Sequence, residues 1–200
     1  MRTASGEEIE RRCGSSAHQG LCADAGPYRY AGAEELLAGE SPLLVALDQI
    51  QDPQNLGSIC RTAECVGAAG VVIPERRAAD VTPAVCKASA GAVEHLAVAR
   101  VRNLADFLAD ARAAGCWCYG ASAEGGPSQR APLDYAKPDY SGAGVVLVLG
   151  SEGSGLRPRV ANACDQLIAL PLRGRIESLG VSAAAAAVLY EILQIRGERA

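Results

Sequence analysis

Three short segments of this 200-residue chain bring together residue types that could do chemistry. The first is Asp52-Pro53-Gln54-Asn55-Leu56-Gly57-Ser58-Ile59-Cys60-Arg61, and the second is Gly150-Ser151-Glu152-Gly153-Ser154-Gly155-Leu156. The third runs from Pro171 and Leu172 through Arg173, Arg175, Ile176, Ser178 and Leu179 to Ser182. Each follows a short apolar run, and ligands of open α/β sheets bind at the carboxyl ends of the strands. Glycines in the second segment leave backbone N–H and C=O groups free to face a ligand, where a helix opens near Leu156. The same loop also reads as a tight turn with Glu152 well placed at the helix start. Its glycines are spaced G-x-x-G-x-G and follow a late strand. A dinucleotide fingerprint needs G-x-G-x-x-G in the first βα turn and an acidic residue about 20 positions on, and a P-loop needs Lys-Ser or Lys-Thr. A Rossmann dehydrogenase and a P-loop nucleotide hydrolase are therefore disfavoured.

Metal chemistry finds no support. The eight cysteines, Cys13, Cys22, Cys60, Cys65, Cys86, Cys116, Cys118 and Cys164, contain no C-x-x-C pair and have no His at zinc-finger spacing. Cys116-x-Cys118 would point the same way from a strand without making a metal site. Free thiols in a reducing compartment are the expectation, with no metal.

The elements that position these segments show in the hydrophobic pattern. Short β-like runs at 43–47, 70–73, 117–121, 145–149 and 167–170 alternate with helical stretches near 56–68, 82–90, 104–114, 156–163 and 181–195. That alternation predicts an α/β fold with a mostly parallel sheet whose strands are buried on both faces. Asp52 to Gln54 is turn chemistry with Asn55 as a natural N-cap, after which Leu56, Ile59, Cys60, Ala63 and Val66 share a face and Arg61 lies off it. The alanine run 183–187 makes a smooth helix surface suited to a tight internal contact or to a second copy of the chain. Residues 1–39 are rich in Gly, Ser, Ala and charge without a sustained period. They read as a linker or the remnant of a larger N-terminal domain, dividing the chain into 1–40 and 41–200.

Composition bounds the function. With 49% hydrophobic and 21% charged residues and a mean hydropathy of +0.08, the chain is neither disordered, collagen-like nor a disulfide scaffold. The apolar stretch 145–149, like every other in the chain, falls far short of the roughly 20 residues of a membrane helix. Glu7, Glu8, Glu10, Arg11 and Arg12 stand where a secretory signal would be apolar, which predicts a cytoplasmic protein. A net charge of −4 argues against a nonspecific nucleic-acid coat but leaves room for a local basic patch. The basic residues are 17 Arg and two Lys, and Arg suits bidentate phosphate contacts.

Taken in order, Asn55-x-Gly57-x-x-x-Arg61, Leu149-Gly150-Ser151-Glu152-Gly153-x-Gly155-Leu156, and Pro171-Leu172 with Ile176-x-Ser178-Leu179-x-Val181-Ser182 resemble three motifs. They are motifs 1, 2 and 3 of the SpoU family of RNA 2′-O-ribose methyltransferases, the TrmH/RlmB-like branch of the SPOUT superfamily, and the resemblance covers about 42–196. It implies a SPOUT fold: a parallel sheet flanked by helices, with a C-terminal deep trefoil knot that general pattern rules would not propose. It implies S-adenosyl-L-methionine held by Gly150, Gly153, Leu170, Pro171, Leu172 and Leu179, with Leu170 and Leu179 against the adenine. It implies a homodimer in which one subunit's Arg61 completes the other's site. The implied catalytic set is Arg61, Asn55, Glu152 and Ser178. A guanidinium with a pKa above about 12 is a poor base, so Arg61 is read first as a phosphate-anchored stabiliser of the developing alkoxide and second as the base. Asn55 and Glu152 would orient Arg61 and the ribose, and Ser178 would hold the nucleotide or the loop. Arg157, Arg159, Arg173 and Arg175 would form a basic rim for RNA phosphates.

One residue departs from the family pattern. The third motif usually reads Ser-Leu-Asn-Val-Ser, and here Gly180 replaces the Asn, whose amide could bridge the motifs. The stretch Ala17-His18-Gln19-Gly20-Leu21-Cys22-Ala23 resembles the linker of the RlmB branch, although His18 reads equally as a solvated loop residue. That branch implies a guanosine ribose of 23S rRNA as target, with ribosomal RNA expected before tRNA, the substrate of the TrmH branch. A different class of reading, motivated by Gly180 and the missing N-terminal domain, is a knotted protein that binds RNA or cofactor without catalysis.

Overall fold

The segment Leu43–Asp48 is apolar up to its last residue and buried throughout, as an internal strand of a parallel sheet requires. It forms β1 of the computed structural model, which describes residues 2–16, 18–122, 131–176 and 178–197. Two short helices, α1 (Gly6–Cys13) and α2 (Ala33–Leu37), precede it. After it come α3 (Pro53–Cys65), β2 (Gly70–Pro74), α4 (Pro83–Ala88), a 3₁₀ turn (Ala92–Glu94), β3 (Ala97–Val101), α5 (Leu104–Ala113) and β4 (Cys116–Ala121). The chain continues with β5 (Leu133–Asp134), β6 (Gly144–Gly150), α6 (Pro158–Ala163), β7 (Gln166–Ala169) and α7 (Val181–Gly197). The strands form one sheet in the order β3-β2-β1-β6-β4-β7-β5, with every adjacent pair parallel.

Alternation along the strands divides the core in two. Leu43, Val45 and Leu47 join Leu56, Ile59, Cys60 and Ala63 of α3 and Val188, Leu189 and Ile192 of α7. Leu44 and Ala46 face the opposite way, toward Leu104, Phe107 and Leu108 of α5 and Val160 and Ala161 of α6. The expected apolar face of α3, including Val66 just past its end, is buried. Near its C-terminus α7 is tied by Arg196 to the segments leading into β1 and β6. Its Nε donates to the Tyr140 carbonyl (3.1 Å), Nη1 to Ser41 (3.0 Å) and Nη2 to Ala143 (2.9 Å).

The structure departs from the pattern reading in identifiable places. Strand β3 was not expected, because this edge strand is only partly buried and carries exposed Arg100. Strand β5 is two exposed residues long and has no pattern to read. Helix α3 starts at Pro53, so Asp52 rather than Asn55 is its cap, accepting from the Gln54 N–H at 3.1 Å. Asp and Asn cap about equally well, and Pro53 at the first helical position decides in favour of the earlier start. Helix α6 starts at Pro158 rather than near Leu156, whose side chain is drawn into the core. Before β1, Tyr28 and Tyr30 pack against the core, the Ala31 N–H donates to the Val98 carbonyl at 2.9 Å, and Leu36 is buried. His18 closes a local turn by accepting from the Gly20 N–H at 2.9 Å, while Ala17 lies outside the described residues. All eight cysteines are free thiols, and no group of metal-binding side chains occurs among the described residues. No helix of the described residues is long and apolar enough to cross a membrane.

Candidate active site

Strands β1 and β6 lie side by side with Asp48 opposite Gly150, so the first and second motif segments leave the sheet at one point. With Asp52 as cap, Asn55 sits inside the first turn of α3 and its amide is free for tertiary contact. Asn55 Nδ2 donates to Glu152 Oε1 at 3.2 Å, joining positions 97 residues apart. The third segment reaches the same carboxylate. Gly180 adopts φ +77°, and a Cβ built on it would stand 3.6 Å from Glu152 Oε1. All three segments thus converge on Glu152.

The Gly150–Leu156 loop holds its own shape. It folds back so that the Gly155 N–H donates to the Ser151 carbonyl at 2.9 Å. A Cβ on Gly150 would lie 2.2 Å from the Gly155 carbonyl carbon and 2.4 Å from the Leu156 nitrogen. Glycine at 150 is therefore required by the loop's own backbone. Buried Leu156 anchors the far end, and Arg157 locks it to β1. The fully buried Asp48 carboxylate accepts from the Arg157 backbone N–H (2.8 Å) and Nε (2.8 Å), and the Nη2 lies 2.7 Å away. Breaking such a pair from one side leaves a buried charge and costs about 3–5 kcal/mol. Arg157 is thus a brace as well as a member of the expected basic rim. Arg159 Nη2 donates to Asp106 Oδ1 at 2.8 Å between two exposed side chains, a pair worth little to stability.

The third segment leaves apolar side chains and backbone polar groups exposed side by side. Leu170 is partly buried against the core, whereas Leu172 and Leu179 are 42% and 51% exposed. Backbone groups from Pro171 to Ile176, and of Ser178 and Leu179, make no hydrogen bond to described residues. Uncovered leucines beside solvent-exposed backbone donors and acceptors suit a planar heterocycle such as adenine. The residues expected to hold S-adenosyl-L-methionine therefore fit it in chemistry, with exposed Gly153 at φ +84° in the neighbouring loop.

Other expected residues are not drawn into the cluster. Arg61 is exposed six residues beyond Asn55, about 9 Å along α3 and turned well away from it, with no hydrogen bond or ion pair to described residues. Ser178, Arg173 and Arg175 are likewise exposed and bonded to no described residue. Pattern reading missed Asp48, whose position at the end of β1 was the available signal. It also missed Arg76, Arg77, Arg100 and Arg102, which follow β2 or end β3. The strand-end rule would have found the last two had β3 been recognised.

Residues 42–190 match the SpoU rRNA Methylase family. The chain is 43% identical over 184 residues to a Bacillus subtilis protein named as a TrmH family tRNA/rRNA methyltransferase, YacO, covering 90% of this chain and 71% of that protein. Across the similar curated relatives the chain spans from 46% to 73% of their length. The structure superposes on an AdoMet-bound rRNA methyltransferase from Sinorhizobium meliloti with TM-score 0.74 and 32% identity, over 83% of this chain and 61% of that one. It also superposes on the A. aeolicus TrmH/SpoU tRNA modifying enzyme with TM-score 0.69 and 26% identity, over 84% of this chain and 82% of that one.

Proposed function

This chain belongs to the SpoU rRNA methylase family and has the fold of solved RNA methyltransferases, and on that premise we propose that it methylates the 2′-hydroxyl of a guanosine ribose in 23S ribosomal RNA. The observation that carries the reading is the convergence of the three motif segments on Glu152, beside a leucine-lined segment with free backbone groups. S-adenosyl-L-methionine, when bound, supplies a methyl group already activated by its sulfonium. Transfer would form the C–O bond at the ribose oxygen as the C–S bond breaks, the sulfonium leaving as a neutral thioether and the hydroxyl proton passing to water at this exposed site.

The chain's residues provide orientation and charge. The Asn55–Glu152 bond fixes the start of α3 against the Gly150–Leu156 loop, which holds the acceptor ribose at a set distance from the donor. Leu170, Pro171, Leu172 and Leu179, with Gly150 and Gly153, hold the donor, and Ser178 holds the nucleotide or its loop. Arg61, exposed and without a hydrogen-bond or ion-pair partner among the described residues, is suited to complete the site of a second subunit. There, anchored by an RNA phosphate, it stabilises the forming alkoxide. Half-exposed Tyr190 and Leu193 on α7 supply apolar surface for that dimer. The deep trefoil knot of this reading has its support in the strand order, where β6 inserts between β1 and β4 and the chain after β7 returns to pack α7 against α3. The reading places the enzyme in the cytoplasm with its RNA.

Transfer of tritiated methyl to 23S rRNA and tRNA transcripts tests this directly. Incorporation into 23S rRNA is expected, and Arg61→Ala should lower it about 10²–10³-fold with unchanged calorimetric affinity for S-adenosyl-L-methionine. Cofactor binding without transfer to either RNA would overturn the enzymatic reading in favour of a binding protein. Transfer to tRNA alone would reassign the substrate, a reading favoured by the likeness to the A. aeolicus enzyme. Full activity in Arg61→Ala would remove Arg61 from the mechanism.

A further inference from the structure

On the α5–α6 side of the sheet, the carboxyl ends of β1, β2 and β3 and the start of α6 border an open groove of about 1120 Å³. Six arginines line it: Arg76 and Arg77 after β2, Arg100 and Arg102 at and after the end of β3, and Arg157 and Arg159 at the start of α6. Three of these are committed elsewhere. Arg157 braces buried Asp48, Arg159 pairs with Asp106, and Arg100 lies 3.6 Å from Asp80 and stacks over the Tyr30 ring at 5.0 Å. The other three, Arg76, Arg77 and Arg102, are exposed and make no hydrogen bond or ion pair with described residues. Arg77 is moreover held at φ +60°, a conformation non-glycine residues seldom adopt.

The wall carries six arginines against three carboxylates, Glu34, Asp106 and Asp110, an excess of positive charge in a chain of net charge −4, and Arg76, Arg77 and Arg102 have no ion-pair partner among the described residues. Their mutual repulsion is relieved by a polyanion, and the planar guanidinium fork matches phosphate oxygens in pairs. Arg157, which lines the groove, directly follows the Gly150–Leu156 loop that carries Glu152, so the two regions are adjoined along the chain. We propose that this groove seats the RNA sugar–phosphate backbone flanking the methylated nucleotide, with Arg76, Arg77 and Arg102 contacting phosphates. The proposal rests on the RNA methyltransferase reading and adds to it a backbone track on the opposite side of the sheet from α3. Contacts of this kind position the RNA and carry no base information.

The test uses the full chain, a fluorescein-labelled 23S rRNA fragment and a labelled tRNA, with binding measured by anisotropy from about 50 to 200 mM salt. The double variant Arg76→Ala/Arg77→Ala should bind about tenfold more weakly at low salt, and each lost contact should reduce the salt slope by about 1. Arg102→Glu should weaken binding further, and in both variants KM for RNA should rise with kcat unchanged. Affinity for S-adenosyl-L-methionine and the thermal midpoint should stay at wild-type values, which separates lost contacts from lost folding. Wild-type affinity and salt slope in the folded variants would overturn the groove and leave the methyl-transfer reading standing. Groove-dependent RNA binding without methyl transfer would overturn the reaction and support the groove. No RNA binding by the wild-type protein would overturn both.

Discussion

Gly150 and Gly180 both flank Glu152, and the space around them is opposite in kind. Nothing but glycine fits at 150, where a Cβ would meet the backbone of Gly155 and Leu156 at 2.2–2.4 Å. At 180 a side chain has room, and the φ of +77° is one that Asn adopts far more readily than other non-glycine residues. The smaller substitution should therefore do more harm. Gly150→Ala is expected to lose about 2–3 kcal/mol in urea unfolding, whereas Gly180→Asn should stay within about 1 kcal/mol of wild type. Equal losses would show that the loop is not packed as described. In Gly180→Asn the new amide faces the Glu152 carboxylate, beside the Asn55 bond already present. The motif residues themselves were legible by type and order. What was not legible was that Asn55 would be relieved of capping by Asp52, or that Arg157 would be bound to a buried carboxylate. Both depend on which neighbour reaches the group first in three dimensions.

Elements that bury most of their residues announced themselves, and those at the margins did not. Strands β1, β2, β4, β6 and β7 fall within a residue or so of their expected positions, because strands largely buried on both faces are built from near-continuous apolar residues. Strand β3, half-buried at one side of the sheet, alternates apolar residues with Arg100, and missing it hid two of the six groove arginines, Arg100 and Arg102. Helix α7 shows the converse dependence, since its alanine-rich sequence favours a helix but says nothing of where it docks. Docking is secured in part by Arg196, whose partly buried guanidinium donates to three backbone carbonyls and has its pKa lowered by desolvation. Arg196→Ala should strand those acceptors, lowering stability by about 2–3 kcal/mol and raising amide exchange at the end of α7. Unchanged exchange there would mean that the apolar face of α7 alone fixes it.

Across the whole molecule, the cysteines report the packing. Burial pushes the Cys60 thiol up to about 12 and the Cys118 thiol higher still, so both remain protonated and unreactive near pH 8. A chromogenic disulfide reagent at that pH should modify exposed Cys13 and Cys65 in the native protein. Cys60, Cys116, Cys118 and Cys164 should react only on unfolding, and rapid reaction of all eight would contradict the buried core.

Sequence alone determined the class of fold and the family, because both are written in local quantities: apolar runs of strand length, helical spacing between them, and residue types in order. It also determined an overall charge of −4, which argues against a nonspecific nucleic-acid coat and leaves room for a local basic patch. Only the tertiary structure decided how that charge is distributed, gathering arginines from β2, β3 and α6 onto one wall while burying Asp48 beneath Arg157. Tertiary structure alone also brought Asn55, Glu152 and Gly180 to one point from positions far apart in the chain. The reason is physical: net charge and periodicity are sums along the chain, while pairing and exposure depend on distances that exist only once the sheet has assembled.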